Sequence, residues 1–113
     1  MRAPSLAELS GLDDASFRAL FSKSPVKRIG RDRFVRNVLI AIGNSADESL
    51  AVEAVRLLGD ESPLVRGAAV WALSRLMARE RFDALALAAI NTELDQDVRE
   101  EWRLGGDSAN SSS

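Results

Sequence analysis

The stretch Ser62-Pro63-Leu64-Val65-Arg66-Gly67-Ala68-Ala69-Val70-Trp71-Ala72-Leu73 decides how this chain folds. Ser62 is a favoured helix N-cap. Pro63 suits the first helical turn, where its missing N–H has no intrahelical partner to lose. Apolar residues fill the next turns, so the spacing predicts a helix running through Trp71 to about Met77. The same pattern stands 30 residues upstream in Val35-Arg36-Asn37-Val38-Leu39-Ile40-Ala41-Ile42-Gly43, and a third Val-Arg pair, Val98-Arg99, follows 33 residues downstream. Four residues before each Arg is an N-cap type: Asp32, Ser62 and Asp95. Spacings of this size belong to helical-pair repeats, in which one helix carries the Val-Arg signature and the next packs behind it. A single unit cannot bury its apolar face alone, so neighbouring units must stack. The third copy is degraded, with Glu100, Glu101 and Trp102 after its Arg, as a terminal cap tends to be.

Around this core the remaining segments also read as helices. Leu6, Leu9 and Leu12 give a short apolar rhythm. Asp13-Asp14 opens a segment carrying Phe17, Leu20 and Phe21, closed by Ser24-Pro25. Asp32 to Gly43 forms an amphipathic helix with Gly43-Asn44 as its stop. Asp47 to Leu58 faces inward through Leu50, Ala51, Ala54, Val55 and Leu58. Glu80 to Ile90 carries Phe82, Leu85, Leu87, Ala89 and Ile90, and Asp95 to Arg103 is mostly polar. No alternating strand pattern appears. The expected fold is all-α: an α-solenoid of HEAT-like helical-pair repeats, about two full repeats plus a degraded terminal helix. It forms one domain over residues 1–104, followed by a disordered Gly/Ser-rich tail at 105–113. The expected buried set is Phe17, Phe21, Phe34, Val38, Leu39, Ile42, Val55, Leu58, Leu64, Val65, Ala69, Trp71, Ala72, Leu73 and Leu76. Trp102 either covers the last core layer or contacts a missing partner.

Composition narrows the chemistry. The 113 residues contain no Cys, His or Tyr. That excludes disulfide frameworks, thiolate nucleophiles, thiolate-held iron–sulfur clusters, imidazole bases and the common zinc sites. The acidic pairs Asp13-Asp14, Asp47-Glu48 and Asp60-Glu61 sit where helix N-termini favour negative charge, and none stands out as an acid/base pair. No apolar run approaches a membrane span and no leader sequence is evident, so the expected compartment is the cytoplasm.

The net charge of −2 conceals a basic island. Between Lys23 and Arg36 stand six cations (Lys23, Lys27, Arg28, Arg31, Arg33, Arg36) against Asp32 alone, while the rest of the chain is net acidic. Lys27, Arg28 and Arg31 lie in or beside a loop that leads into a helix presenting Arg33. Arg36, Asn37 and Asn44 share its outer stripe, interrupted by Ile40. Helix-start N–H groups flanked by Arg suit phosphate, so Lys27, Arg28, Arg31, Arg33, Arg36 and Asn37 are the candidate RNA-binding residues. The competing reading is a solvated face held in local ion pairs. For Arg66 and Arg99 the expected role is structural, bridging to an acidic residue of the adjacent repeat.

The run Ser24-Pro25-Val26-Lys27-Arg28-Ile29-Gly30-Arg31-Asp32-Arg33-Phe34-Val35-Arg36-Asn37, continued through Gly43-Asn44-Ser45, resembles the C-terminal region of tRNA epoxyqueuosine reductases. Phe17 to Phe21 and Asp60 to Leu73 fit the same family, so the resemblance covers roughly residues 6 to 77. The resemblance implies an oxidoreductase that reduces epoxyqueuosine in the tRNA anticodon loop to queuosine. Its cobalamin and two [4Fe–4S] clusters would be held in portions absent from this chain, with the HEAT-like part helping to hold the tRNA. This chain itself is expected to carry no cofactor and to be inactive alone, as a fragment or split gene would be. Its expected partners are a tRNA anticodon stem-loop and a catalytic half as a separate chain. Two rivals stand beside that reading. One is a protein-interaction scaffold; the other is a DNA-binding helical-repeat module of the alkylpurine-glycosylase type.

Overall fold

The computed structural model describes residues 5–23 and 29–111, with side chains described as far as Gly105. Among the described residues there are seven α-helices and no strand. They are α1 (Leu6–Ser10), α2 (Asp14–Leu20), α3 (Gly30–Asn44), α4 (Ala51–Leu57), α5 (Pro63–Leu76), α6 (Arg79–Ala89) and α7 (Gln96–Ser111), with a 3-10 turn at Glu48–Leu50 leading into α4. The all-α solenoid of helical pairs read from the repeat is the observed fold. α5 packs between α3 and α7, α4 lies on α5, α6 on α7 and α5, and α1 and α2 on α3. Several helices begin where side-chain caps place them. The side-chain oxygens of Ser5, Asp13 and Ser62 accept from the backbone N–H of Glu8, Ser16 and Val65, satisfying donors that have no intrahelical partner.

The core runs through the three central helices. Val35, Leu39 and Ile42 of α3, Val65, Ala69, Val70, Ala72 and Leu73 of α5, and Val98 of α7 are buried. Trp102 is also buried, its ring 5.3 Å from that of Phe82, so it covers the last core layer. Phe17, Phe21 and Phe34 form a three-ring cluster with centroids 4.9–5.4 Å apart, which fastens α2 to α3. At the same end Ser10 is fully buried, donating to the Ala7 carbonyl and lying 3.3 Å from Glu53 Oε2. Arg56 donates to both Ser10 and Glu53, tying α1 to α4.

Successive repeats are joined by a recurring arginine–acid bridge. Arg66 donates through Nε and Nη2 to both carboxylate oxygens of Glu93, at 2.9 and 3.0 Å. Glu93 in turn accepts from the Asp95 N–H. One repeat earlier, Asp60 accepts from the Ser62 N–H and from both Nη atoms of Arg31. Asp60 and Glu93 thus hold the same position, two residues before a cap residue. Arg66 Nη1 also donates to the Asp60 and Glu61 carbonyls, and Arg99 Nη1 repeats this on Ile90 and Glu93.

Several expectations change in detail. α3 starts two residues before Asp32, at Gly30, whose φ of +83° lies in the left-handed region that favours glycine. Asp32 therefore lies inside the first turn and is not the cap. Gly43 does not stop the helix. It is buried, and a Cβ there would stand 2.5 Å from Trp71 Cζ3, so its role is close helix approach. The chain turns instead at Ser45 and Ala46, the latter with φ of 57°. Leu57 takes the inward place expected of Val55, because the 3-10 turn changes the rotation at which α4 begins. Leu64 and Leu87 are exposed. α7 continues through Gly105, across the boundary where a tail was expected. There a Cβ would meet Phe82 Cζ at 2.5 Å and Ser74 Cβ at 3.1 Å.

Candidate nucleic-acid interface

The start of α3 gathers what the sequence offers for an anion. Among the described residues no side chain caps this helix: its N-cap residue is Ile29, in helical conformation. First-turn N–H groups left without side-chain acceptors carry the positive end of the helix dipole. Beside them lies an open cleft of about 490 Å³, lined by Asp14, Gly30, Arg31, Asp32, Arg33 and Ser62 among others. Arg33 is exposed and makes no ion pair among the described residues, so its guanidinium is available to a ligand.

The remaining candidates divide. Lys27 and Arg28 lie outside the described residues. Arg31 is committed elsewhere: it donates through Nε to the Leu12 carbonyl at 2.7 Å and bridges to Asp60 and Asp32, with its side chain only 15% exposed. The Asp60 hydrogen bond raises its pKa further. Burial works to raise the Asp60 carboxyl, but the bonds from Arg31 and the Ser62 N–H outweigh it and hold that carboxyl below its ordinary value. Arg31 thus acts as a clamp joining the α1–α2 connection, the α3 start and the α4–α5 loop. It takes the bridging role that the repeat pattern assigns by position to Arg36.

Arg36 is consequently released from the bridge. It donates from Nη2 to Asn37 Oδ1 at 3.2 Å, while its Nε is buried with no hydrogen-bond partner among the described residues. Asn37 itself is exposed. Arg36 lines a second groove, of about 510 Å³, formed where α3, α5 and α7 meet. Its floor includes Ile40, Leu64 and Trp71, and the α7 side is acidic, with Asp95, Asp97 and Glu101. Burial, and then the neighbouring charge of Glu100, push the Glu101 carboxyl up from its ordinary value. Among the described residues the structure therefore divides the basic island between the helix start, with Arg33, and a mixed-charge groove, with Arg36. Sequence reading missed the groove because α7 is distant in the chain. The one available signal was Ile40, the apolar residue that breaks an otherwise polar stripe. Trp71, read as core, is half-buried and joins core to groove, with the Arg75 guanidinium 5.6 Å from its ring centroid.

Comparison with known proteins agrees with this architecture. A family model for HEAT repeats matches residues 32–104. The chain belongs to the HEAT-repeat family. Within it, the chain is 36% identical over 78 residues to an epoxyqueuosine reductase of Alicycliphilus denitrificans, covering 62% of this chain and 22% of that protein. It is 29% identical over 79 residues to the epoxyqueuosine reductase of Escherichia coli, covering 70% and 21%. A crystal structure of epoxyqueuosine reductase with a tRNA-Tyr epoxyqueuosine-modified stem loop superposes with a TM-score of 0.83 at 24% identity. It covers 92% of this chain and 28% of that one, a likeness of fold. The resemblance read at residues 6 to 77 is thus to the HEAT-like region of these enzymes. The chain spans about a fifth of the length of the curated relatives it matches.

The iron–sulfur clusters implied by the family resemblance find no thiolate in this HEAT chain, whose sequence has no Cys. Among the described residues no group of three or more His, Cys, Asp or Glu could hold a metal ion. No helix among them is long and apolar enough to cross a membrane.

Proposed function

We propose that this chain is a cytoplasmic tRNA-binding HEAT-like module of an epoxyqueuosine reductase. It positions the anticodon stem-loop for reduction of epoxyqueuosine to queuosine by a catalytic portion outside this chain, which could be supplied as a separate chain. The observation that carries the reading is the start of α3: a helix N-terminus without a side-chain cap, and Arg33 without an ion pair, among the described residues, following Lys27 and Arg28 in sequence. The similarity of the chain to epoxyqueuosine reductases supports it. Phosphate oxygens would accept from the first-turn N–H groups and from Arg33, with Lys27 and Arg28 adding charge. Arg31 supports the site by fixing the helix start and is not itself a phosphate ligand.

The test is titration of a labelled anticodon stem-loop with the full chain at several salt concentrations. Three phosphate contacts with single-strand-like counterion release give a log–log salt slope of about −2. Reversing Lys27, Arg28 and Arg33 to Glu should abolish binding, and the exposed Arg33 should add little to any change in melting temperature. Undiminished binding by that variant would refute the reading. Duplex DNA competing as well as the stem-loop would favour the DNA-binding alternative instead.

A further inference from the structure

The groove between α3, α5 and α7 adjoins the cleft at the α3 start through Leu64 but has a different chemistry. Ile40 and Leu64, two of the larger exposed apolar side chains, both line it, and the Trp71 indole contributes to its floor. Arg36 reaches its α3 wall with Nε buried and unpartnered among the described residues, a donor whose desolvation is uncompensated. Across from it stand Asp97, exposed and without an ion pair among the described residues, and Glu101, partly buried and likewise unpaired. The volume, about 510 Å³, falls within the ~300–1,000 Å³ usual for ligand sites. An occupant must therefore cover apolar surface and bring positive charge to the α7 wall.

We propose that this groove is a docking site for an extended segment of a partner protein in which Lys or Arg alternates with apolar residues. The segment lies along the Arg36 side of the groove. Its apolar side chains cover Ile40, Leu64 and Trp71, and its cation pairs with Glu101 and Asp97. Charge complementarity selects this occupant over nucleic acid. A phosphodiester here would meet the carboxylates of α7 against a single guanidinium, and like charges brought together at an interface oppose binding. One face of Trp71 is also already taken by Arg75, which leaves less room for a stacked base. The carboxyl of Glu101, raised by burial and by Glu100, would move back toward its ordinary acidity beside a bound ammonium or guanidinium.

Selection of random short peptides displayed on phage, against the immobilised full chain, tests the proposal. Enrichment should favour Lys or Arg flanked by apolar residues, and should vanish when Glu101 and Asp97 are both changed to Lys. A synthetic peptide of the enriched sequence should shift the Trp71 indole N–H resonance and leave that of buried Trp102 in place. Glu101→Gln should weaken its binding about tenfold, the scale of one charged hydrogen bond. Arg33→Ala, which weakens RNA binding, should leave peptide affinity unchanged, so failure here and failure of the tRNA reading are distinguishable. The proposal is overturned if no peptide is enriched over the bare support or if acidic sequences are enriched. It is equally overturned if Glu101→Gln, folded by its melting temperature, binds the peptide as well as wild type. Oligouridylate shifting the Trp71 resonance as strongly as the peptide would assign the groove to RNA and overturn it also.

Discussion

Replacing Arg31 by Ala tests whether this arginine of the basic run is structural, in contrast to the phosphate contact proposed for Arg33. The guanidinium makes two short bonds to Asp60, at 3.0 and 2.9 Å, and one to the Leu12 carbonyl at 2.7 Å. The side chains of Arg31 and Asp60 are only 15% and 12% exposed. Its contact with the more exposed Asp32 contributes little. Removing one partner of a fully buried ion pair costs about 3–5 kcal/mol. Asp60 keeps the Ser62 N–H bond and some access to water, so about 2–3 kcal/mol is the expected share. The orphaned Leu12 carbonyl adds about 1 kcal/mol. The total, about 3–4 kcal/mol, should lower the melting temperature by roughly 10–15 °C, and it is a large part of the 5–15 kcal/mol typical of a domain. Urea denaturation at neutral pH measures it, with Arg33→Ala as a control expected within about 0.5 kcal/mol of wild type. Because the folded-state carboxyl of Asp60 lies below its ordinary value, the bridge stabilises above the unfolded value near 3.8 and is lost as pH falls through the lower folded one. The deficit of Arg31→Ala should therefore shrink in acid. A loss under about 1 kcal/mol at neutral pH, or one that does not shrink in acid, would refute the clamp.

Gly43→Ala should destabilise by about 1–2 kcal/mol by urea denaturation. A Cβ 2.5 Å from Trp71 and 3.1 Å from the Ala72 backbone costs more than the roughly 1 kcal/mol gained in helix propensity. Gly105→Ala should likewise lose about 1–2 kcal/mol through its clash with Phe82, whereas a glycine in a disordered tail would tolerate Ala without loss. Glu101→Gln should raise stability slightly, by under about 1 kcal/mol given the partial exposure. Its carboxyl is raised in the folded state, so ionisation opposes folding above that raised value. The gain should be full near neutral pH, decline as pH falls through the raised value and vanish below the ordinary one near 4.5. Thermal melts across that range check the sign.

The Val-Arg spacing carried the repeat because stacking makes each helix pair obey the same local rules: a cap residue, a buried Val, an Arg reaching back to the loop carbonyls. Arg66 and Arg99 keep to that pattern on the Asp60, Glu61, Ile90 and Glu93 carbonyls. The first repeat departs from it because Gly30 lets α3 begin early, which brings Arg31 to the bridging place. A left-handed φ at a glycine is invisible to spacing arguments. Gly43 and Gly105 depart from expectation for a related reason. A glycine that ends a helix and one that admits a neighbouring ring look alike in sequence, and only the partners, Trp71 and Phe82, tell them apart. The exposed helix start was legible in the candidate site as local charge density. The groove was not, since its acidic wall comes from α7, some sixty residues beyond Arg36.

The displaced bridge also links stacking to binding. In the second repeat one arginine, Arg66, both joins the adjacent repeat and satisfies the loop carbonyls, which occupies four of its five N–H donors. In the first repeat the work passes to Arg31, which lies earlier on the helix and on a different face. Arg36, still at the Val-Arg position, lines the groove and keeps a buried Nε without a hydrogen-bond partner among the described residues. Arg36→Ala should then cost less stability than Arg31→Ala, because it breaks no ion pair to another repeat and removes an unsatisfied buried donor. If the two variants lose equal stability by urea denaturation, Arg36 belongs to the stack after all, and the division of the island into clamp, helix start and groove fails with it.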